Sequence, residues 1–262
     1  MKYFFILFAS AILFSCNNAD QQKENTGKAA TDSSSAKDVD SNDFTKLVTT
    51  VPFAGVWVNE TYVNDIKKTK SPRSSQNINA SCIVIPSKTL KETRMINGFH
   101  EGSEDWAIVK KGDGFQFYNS GLTKLARKID VISPDKIKIG DQTFILMKHG
   151  DPNKSNFNIL EEILFSGQFQ SASGNKVSFT TNGQVTGLDT LNYYNAVIDY
   201  GDMASDVNQI ELGQTKKSLH RYGFQFDKED LLIYNLKCTG KVDGVCESVA
   251  FGKLAYKLTR VH

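Results

Sequence analysis

The chain carries four histidines, but their spacing does not build a metal or catalytic site. They are scattered along the sequence at His100, His149, His220 and His262. None belongs to an H-E-x-x-H pair or to a cluster of Cys and His residues, which zinc coordination needs because the ligands must converge on one ion. The sequence therefore predicts no metal site and no cofactor.

Oxygen-bearing residues near the middle of the chain resemble part of a calcium-binding loop. They fall at positions 1, 3, 5 and 12 of the EF-hand pattern: Asp151, Asn153, Ser155 and Glu162. Position 6 is Asn156 instead of the glycine that the sharp turn needs, and the preceding residues 143–148 alternate as a strand. We therefore expect no calcium site.

Nucleophile motifs are equally weak. S-x-x-K occurs at Ser133/Lys136 and Ser173/Lys176, both in turn-like contexts where no helix begins, and G-x-S-x-G is absent from the sequence. A general acid/base pair cannot be chosen among the many carboxylates while strand pairing is unknown. The sequence predicts that the protein is not an enzyme, and an envelope hydrolase is the least favoured alternative.

Cys16 is the residue with the clearest chemistry. It follows Lys2 and an apolar run of about twelve residues, well short of the roughly 20 that span a bilayer. Leu13-Phe14-Ser15-Cys16 resembles the lipobox of bacterial lipoproteins, in which the thiol is acylated and becomes the mature N-terminus, although Phe14 stands where that family usually has a small residue. The resemblance implies a signal peptide over residues 1–15 and a lipid-modified Cys16 that carries palmitate.

Residues 16–50 follow as a lipidated tether. From Asn17 to Asp43 the chain has no aromatic residue and no Leu or Ile, so it cannot form a core and is expected to be disordered. Asn17, by analogy with Gram-negative lipoproteins, disfavours retention in the inner membrane. We expect an outer-membrane anchor, with the periplasmic and the surface face both left open.

The three other cysteines suit an oxidising envelope. Cys238 and Cys246 flank a segment with two glycines and an aspartate that can reverse the chain, so we expect a disulfide between them. Cys82 lies in an apolar strand and is expected to be the unpaired, buried thiol.

Net charge excludes one class of partner. Thirty-one Lys and Arg residues stand against 29 Asp and Glu residues, so no strong field exists to attract nucleic acid. The basic run Lys67 to Arg73 falls at the end of a predicted helix that contains Tyr62, Val63 and Ile66, where it suits the helix dipole.

The remaining pattern is that of an all-β protein. Apolar residues alternate with polar ones from Cys82 onward, and Asp113-Gly114 and Asn182-Gly183 are hairpin signals. Strands at short, even spacing predict two packed antiparallel β-barrel-like units with short helical segments, over residues 51–150 and 151–262. One large barrel and a β-sandwich are the alternatives.

An internal repeat supports two units. Phe53-Ala54-Gly55-Val56-Trp57 is matched 112 residues later by Phe165-Ser166-Gly167-Gln168-Phe169, and the same step relates residues 144–148 to residues 256–260. A third match, between residues 114–117 and 223–226, has a step of 109, which a loop difference could absorb.

Gly55-Val56-Trp57 on a first strand, with a basic residue at the end of a last strand, resembles the signature of the lipocalin superfamily. The resemblance implies that a basic side chain packs over an aromatic ring to close each barrel. The implied pairs are Trp57 with Lys148 and Phe169 with Arg260, beside Gly55 and Gly167. Lys148 and Phe169 depart from the Arg and Trp of the family.

Two functions are favoured for this architecture. In the first, a lipid-anchored barrel binds a small, partly apolar molecule in a cavity lined by its aromatic residues. In the second, the barrels are filled and the lipoprotein serves as an assembly or interaction scaffold for an envelope protein partner. An apolar cavity of several hundred Å³ would favour the first function, and filled interiors would favour the second.

Overall fold

The computed structural model describes residues 51–87, 92–99, 102–119, 125–201 and 207–262. In these residues the chain folds as two closed antiparallel β-barrels of eight strands each, within one compact unit. The predicted all-β class with two barrel units is confirmed. The alternatives of a single large barrel and a sandwich are wrong.

In the first barrel each strand pairs with the next along the chain, and the last strand pairs with the first. The strands are β1 (Gly55–Asn59), β2 (Ser81–Ile85), β3 (Thr93–Asn97), β4 (Ser103–Lys111), β5 (Gly114–Asn119), β6 (Leu125–Ser133), β7 (Lys136–Ile139) and β8 (Gln142–Met147). Closure leaves no unpaired sheet edge.

The second barrel has the same strand order and closes in the same way. Its strands are β9 (Gly167–Ser171), β10 (Lys176–Phe179), β11 (Gln184–Leu188), β12 (Leu191–Ala196), β13 (Asn208–Gly213), β14 (Leu219–Asp227), β15 (Asp230–Val242) and β16 (Val245–Val261). The last two strands are much longer than the others, and the residues near their turn, 236–250, form a two-stranded ribbon.

Two helices, α1 (Glu60–Thr69) and α2 (Pro72–Ser75), connect β1 to β2. The Asn59 side chain caps α1 by accepting from the Thr61 amide at 2.9 Å, and Lys70 ends the helix in a left-handed conformation. The predicted apolar face of α1 is buried, because it packs against the outside of the first barrel.

The molecule has two hydrophobic cores. The first fills part of the first barrel and contains Trp57, Ile83, Phe117 and Phe144. The second begins in the interior of the second barrel and continues through α1 to the outward-facing side chains of β1 and β2. A π-helical turn, Glu161–Phe165, belongs to this second core and leads into β9.

The strand order corrects part of the predicted repeat. Residues 114–117 lie on the fifth strand of the first barrel, whereas residues 223–226 lie on the sixth strand of the second. This third match is therefore wrong, because alternating phenylalanines suit any strand that faces a core. The 112-residue step relates Trp57 to Phe169 but does not hold at the ends of the barrels, because their cross-strand partners, Leu146 and Arg260, are 114 residues apart.

Candidate functional site

One end of the second barrel holds the predicted pair of Phe169 and Arg260. The two residues are cross-strand partners, and Arg260 Cζ lies 4.5 Å from the centroid of the Phe169 ring. The guanidinium also donates to the carbonyl of Ser166 at 3.0 Å and to that of Leu164 at 2.5 Å. A Cβ on Gly167 would lie 2.8 Å from Arg260 Nη1, so the glycine leaves room for the cation. Arg260 thus ties the last strand to the chain that enters the barrel.

In the first barrel a leucine takes the place of this arginine. Trp57 lies opposite Leu146, and a Cβ on Gly55 would lie 2.6 Å from Leu146 Cδ1. The expected contact between Trp57 and Lys148 does not form, since Lys148 is exposed beyond the end of β8. The physical reason is register: the residue that matches Arg260 across the barrel seam is Leu146, two positions earlier.

Apolar packing closes this end of the first barrel. Trp57 is fully buried and its Nε1 donates to the carbonyl of Phe53 at 2.9 Å. The Phe53 ring packs edge-on against Phe115, with centroids 5.0 Å apart. Phe53 occupies the position in the first repeat that Phe165 occupies in the second.

The opposite end of the first barrel opens into a cavity of about 410 Å³. Ligand pockets typically measure about 300–1,000 Å³. Each of the seven strands β2 to β8 contributes to the lining, which consists of Ile83, Met95, Asn97, Glu104, Trp106, Phe117, Arg127, Ile139, Gln142 and Phe144. This cavity is the candidate functional site, and we call it the first-barrel cavity.

Its inner wall is apolar and aromatic. Ile83, Phe117, Ile139 and Phe144 are buried. The Trp106 ring stacks on Phe117 with centroids 4.9 Å apart and planes within 2° of parallel. This wall suits a flat or extended apolar group, because burying such a group removes its surface from water.

The mouth of the cavity is polar. Glu104 accepts a hydrogen bond from Trp106 Nε1 at 3.2 Å. Arg127 is exposed and makes no hydrogen bond or ion pair with any residue that the structure describes. Its aliphatic stem lies across Gly140, where a Cβ would come within 2.5 Å of Arg127 Cδ, so only glycine fits this turn position at its positive φ of 60°. Among the described residues, the mouth therefore presents one carboxylate that accepts a hydrogen bond and one guanidinium without a partner.

Aromatic rings pack the end of the second barrel that the π-helical turn enters. The Phe165 ring enters it from the π-helical turn and lies 5.0 to 6.2 Å, centroid to centroid, from the rings of Phe179, Tyr194, Phe224 and Phe226. At the far end, Tyr256 donates to Asp189 Oδ2 at 3.0 Å. Burial, followed by the nearby Asp189 carboxylate, raises the pKa of Tyr256 to about 12.

A buried carboxyl group attaches the π-helical turn to the second barrel. Glu161 is 1% exposed, and its Oε1 accepts from Asn156 Nδ2 at 2.7 Å and from the Ala196 amide at 2.9 Å. Burial raises its pKa, although these hydrogen bonds oppose the shift. Glu161 does not line the first-barrel cavity, so we assign it a structural role.

The predicted disulfide between Cys238 and Cys246 is confirmed, with Cα atoms 5.8 Å apart. It staples the β15–β16 ribbon and lines a shallow groove of about 340 Å³ together with Arg221 and Glu247. Cys82 is the free, buried cysteine, and burial raises its pKa to about 12, which keeps the thiol protonated.

The calcium-like pattern serves another purpose. The Glu162 carboxylate accepts from the amides of Lys148 and His149 at 3.0 and 2.8 Å, so it caps the chain that leaves β8. Asp151 Oδ1 accepts from the Asn153 amide at 2.9 Å. Within the described ranges, no group of three or more His, Cys, Asp or Glu side chains is arranged to hold a metal ion.

Some predictions fall on other parts of the chain. Cys16, the tether and His100 lie outside the residues that the structure describes. The described helices are all too short or too polar to cross a bilayer.

Sequence reasoning placed several residues of the first-barrel cavity on strands but assigned none of them to a functional site. Period-two alternation indicates that Trp106, Phe117 and Ile139 face inward. It does not indicate how much of the interior they leave unfilled, nor that Arg127 reaches over a glycine turn to the mouth.

In comparisons with known proteins, no family model, no curated protein and no solved structure matches this chain. Its class is therefore defined by the fold, as a protein of two tandem eight-stranded antiparallel barrels.

Proposed function

We propose that the protein is a non-catalytic, lipid-anchored lipoprotein of the cell envelope whose first barrel binds a small, partly apolar molecule. The first-barrel cavity carries this proposal. An apolar inner wall with a few polar groups at the mouth is the usual composition of a ligand site. The lipocalin-like signature at Gly55 and Trp57 supports the same function by analogy, because that family binds small apolar molecules inside its barrels.

The anchoring part of the proposal depends on Cys16 and the apolar run before it. We expect labelled palmitate to be incorporated into the full-length protein and to be lost in Cys16→Ala. Label that persists in this variant would overturn the anchor. On this proposal the protein lies at the outer membrane, held through its lipid.

The binding part is tested with N-phenyl-1-naphthylamine, a neutral aromatic probe that fluoresces in apolar surroundings. We expect one probe to bind each protein molecule. Met95→Trp should weaken binding at least tenfold, because its larger side chain fills the cavity that Met95 lines. Asp130→Trp is the matched control, since Asp130 is exposed on the same barrel and does not line the cavity.

The outcome separates binding from general stickiness. Circular dichroism of both variants verifies that the barrels remain folded. Equal probe binding by wild type and Met95→Trp would mean that the first-barrel cavity is not the site. Native mass spectrometry of protein purified from its own envelope would then identify the natural occupant by mass.

A scaffold role is favoured by one separate observation, the ribbon of β15 and β16. Near its turn this ribbon pairs only with itself, and Val242 and Val245 are 52% and 67% exposed at its tip. Exposed apolar side chains on a stapled ribbon suit contact with an envelope protein. Crosslinking from Val245, compared with crosslinking from Asp130, tests this second function.

A further inference from the structure

The charge at the mouth of the first-barrel cavity indicates what kind of ligand fits. Of the described residues that line the cavity, Arg127 is the only cation, and it has no partner among the residues that the structure describes. Arg127 pairs across the strands with Phe117, which forms the aromatic wall. A guanidinium thus lies beside the apolar surface on which the body of a ligand would rest.

We infer that the ligand of this cavity carries an acidic group, a carboxylate, sulfate or phosphate monoester, that binds Arg127 while the apolar body packs against Trp106 and Phe117. This inference rests on the proposed function. A guanidinium binds such oxyanions through two parallel hydrogen bonds.

The neighbouring carboxylate does not favour a cationic ligand instead. Glu104 already accepts the Trp106 indole N–H, so part of its hydrogen-bonding capacity is used within the protein. Arg127 has no such partner among the described residues. Its stem lies against Gly140, which has no side chain to block it.

Two probes with the same aromatic body test this inference. N-Phenyl-1-naphthylamine is neutral, and 1-anilinonaphthalene-8-sulfonate adds one sulfonate to the same rings. We expect the wild-type protein to bind the sulfonate probe at least tenfold more tightly than the neutral one. Arg127→Gln should remove this preference and change the affinity for the neutral probe less than twofold.

Lys128→Gln provides the matched control. It removes the same charge from the next residue of β6, but Lys128 is exposed, is paired with Asp130 and does not line the cavity. We expect the preference for the sulfonate to survive in this variant, apart from a small change that salt abolishes.

The outcomes distinguish this inference from the proposed function. If the neutral probe binds and Met95→Trp blocks it, but Arg127→Gln leaves the preference intact, the cavity binds ligands and the acidic-group inference is overturned. Sulfonate binding that survives Met95→Trp places the anion site outside the cavity, which also overturns it. If neither probe binds wild-type protein, both the inference and the proposed binding function fail.

Discussion

The two barrels have the same number of strands and the same closing glycine, but different interiors. In the second barrel, Phe165 packs against four aromatic rings. In the first, the equivalent Phe53 packs against Phe115 near one end, and the other end stays open as a cavity of about 410 Å³. Strand number sets the width of a barrel, and the volume of the inward side chains then decides whether it holds a ligand.

The contacts that close the two barrels also differ. The second barrel uses a partly buried arginine that donates to two carbonyl groups, whereas the first uses Leu146 and apolar packing. A filled interior and a hydrogen-bonded seam suit a rigid support. An open interior suits exchange of a bound molecule with solvent. The following four predictions test this division of roles.

The largest expected effect on stability comes from removing the Phe165 ring from the second barrel. Phe165→Ala should lower the free energy of unfolding by about 3–5 kcal/mol, the usual cost of removing a fully buried aromatic ring. Phe53→Ala should cost less, because the Phe53 ring packs against one described aromatic ring, Phe115, whereas Phe165 packs against four. Urea denaturation measures both, and equal losses would contradict the contrast between the interiors.

The second largest effect is expected at the seam of the second barrel, where β16 pairs with β9. Arg260→Leu copies the closing residue of the first barrel into the second, and it should cost about 2–4 kcal/mol because the carbonyls of Ser166 and Leu164 lose a charged donor. Arg260→Lys keeps the charge without the planar fork and should recover only part of that loss. If Arg260→Leu leaves the free energy of unfolding unchanged, the guanidinium contributes nothing to closure of the barrel.

Breaking the disulfide should have a smaller effect. Replacing Cys238 and Cys246 together by serine should cost at most about 2.6 kcal/mol, the chain-entropy value for closing a loop of about nine residues. Both cysteines are exposed on the ribbon, so we expect unchanged probe binding in the first barrel. Lost probe binding in the double variant would mean that the ribbon and the cavity are coupled.

The smallest effect depends on pH and concerns Glu161. Its pKa is raised by burial, so the folded state holds a proton that the unfolded state releases as the pH rises above the ordinary value of the carboxyl group. Stability from this residue is therefore complete at acidic pH and is lost as the pH rises toward its folded pKa.

Glu161→Gln, which imitates the protonated group, should remove this dependence. Compared with wild type, its free energy of unfolding should rise on going from pH 5 to pH 7, by at most about 1.4 kcal/mol per pH unit. Urea midpoints across this range provide the measurement. Parallel curves for the two proteins would show that Glu161 does not bind the extra proton.

The sequence was most informative where structure is local. Alternation and turn residues predicted the strands, the spacing of Cys238 and Cys246 predicted the disulfide, and the repeated glycine–aromatic motif predicted the contact of Arg260 with Phe169. Each of these depends on residues that are close in sequence or placed by the repeat.

The errors arose where distant strands meet. Lys148 was expected at the seam instead of Leu146, because a shift of two positions keeps the same side chains facing inward and leaves no trace in the pattern. The cavity depends on the sum of inward side-chain volumes from seven strands. Arg127 reaches its mouth only because Gly140, on another hairpin, has no Cβ. A single sequence does not reveal such sums and contacts.

A continuous hydrophobic core joins the second barrel to the outside of the first. The first barrel can therefore bury its outer apolar residues only when the second barrel folds against it. Val56, Val58 and Val84 face away from the first interior, and their burial depends on α1 and on residues that follow Met147. During synthesis the first barrel emerges before these later residues. Its outer apolar surface therefore stays exposed to solvent, and prone to aggregation, until the second barrel folds. During this interval the newly synthesised chain exposes apolar surface of the kind that chaperones bind.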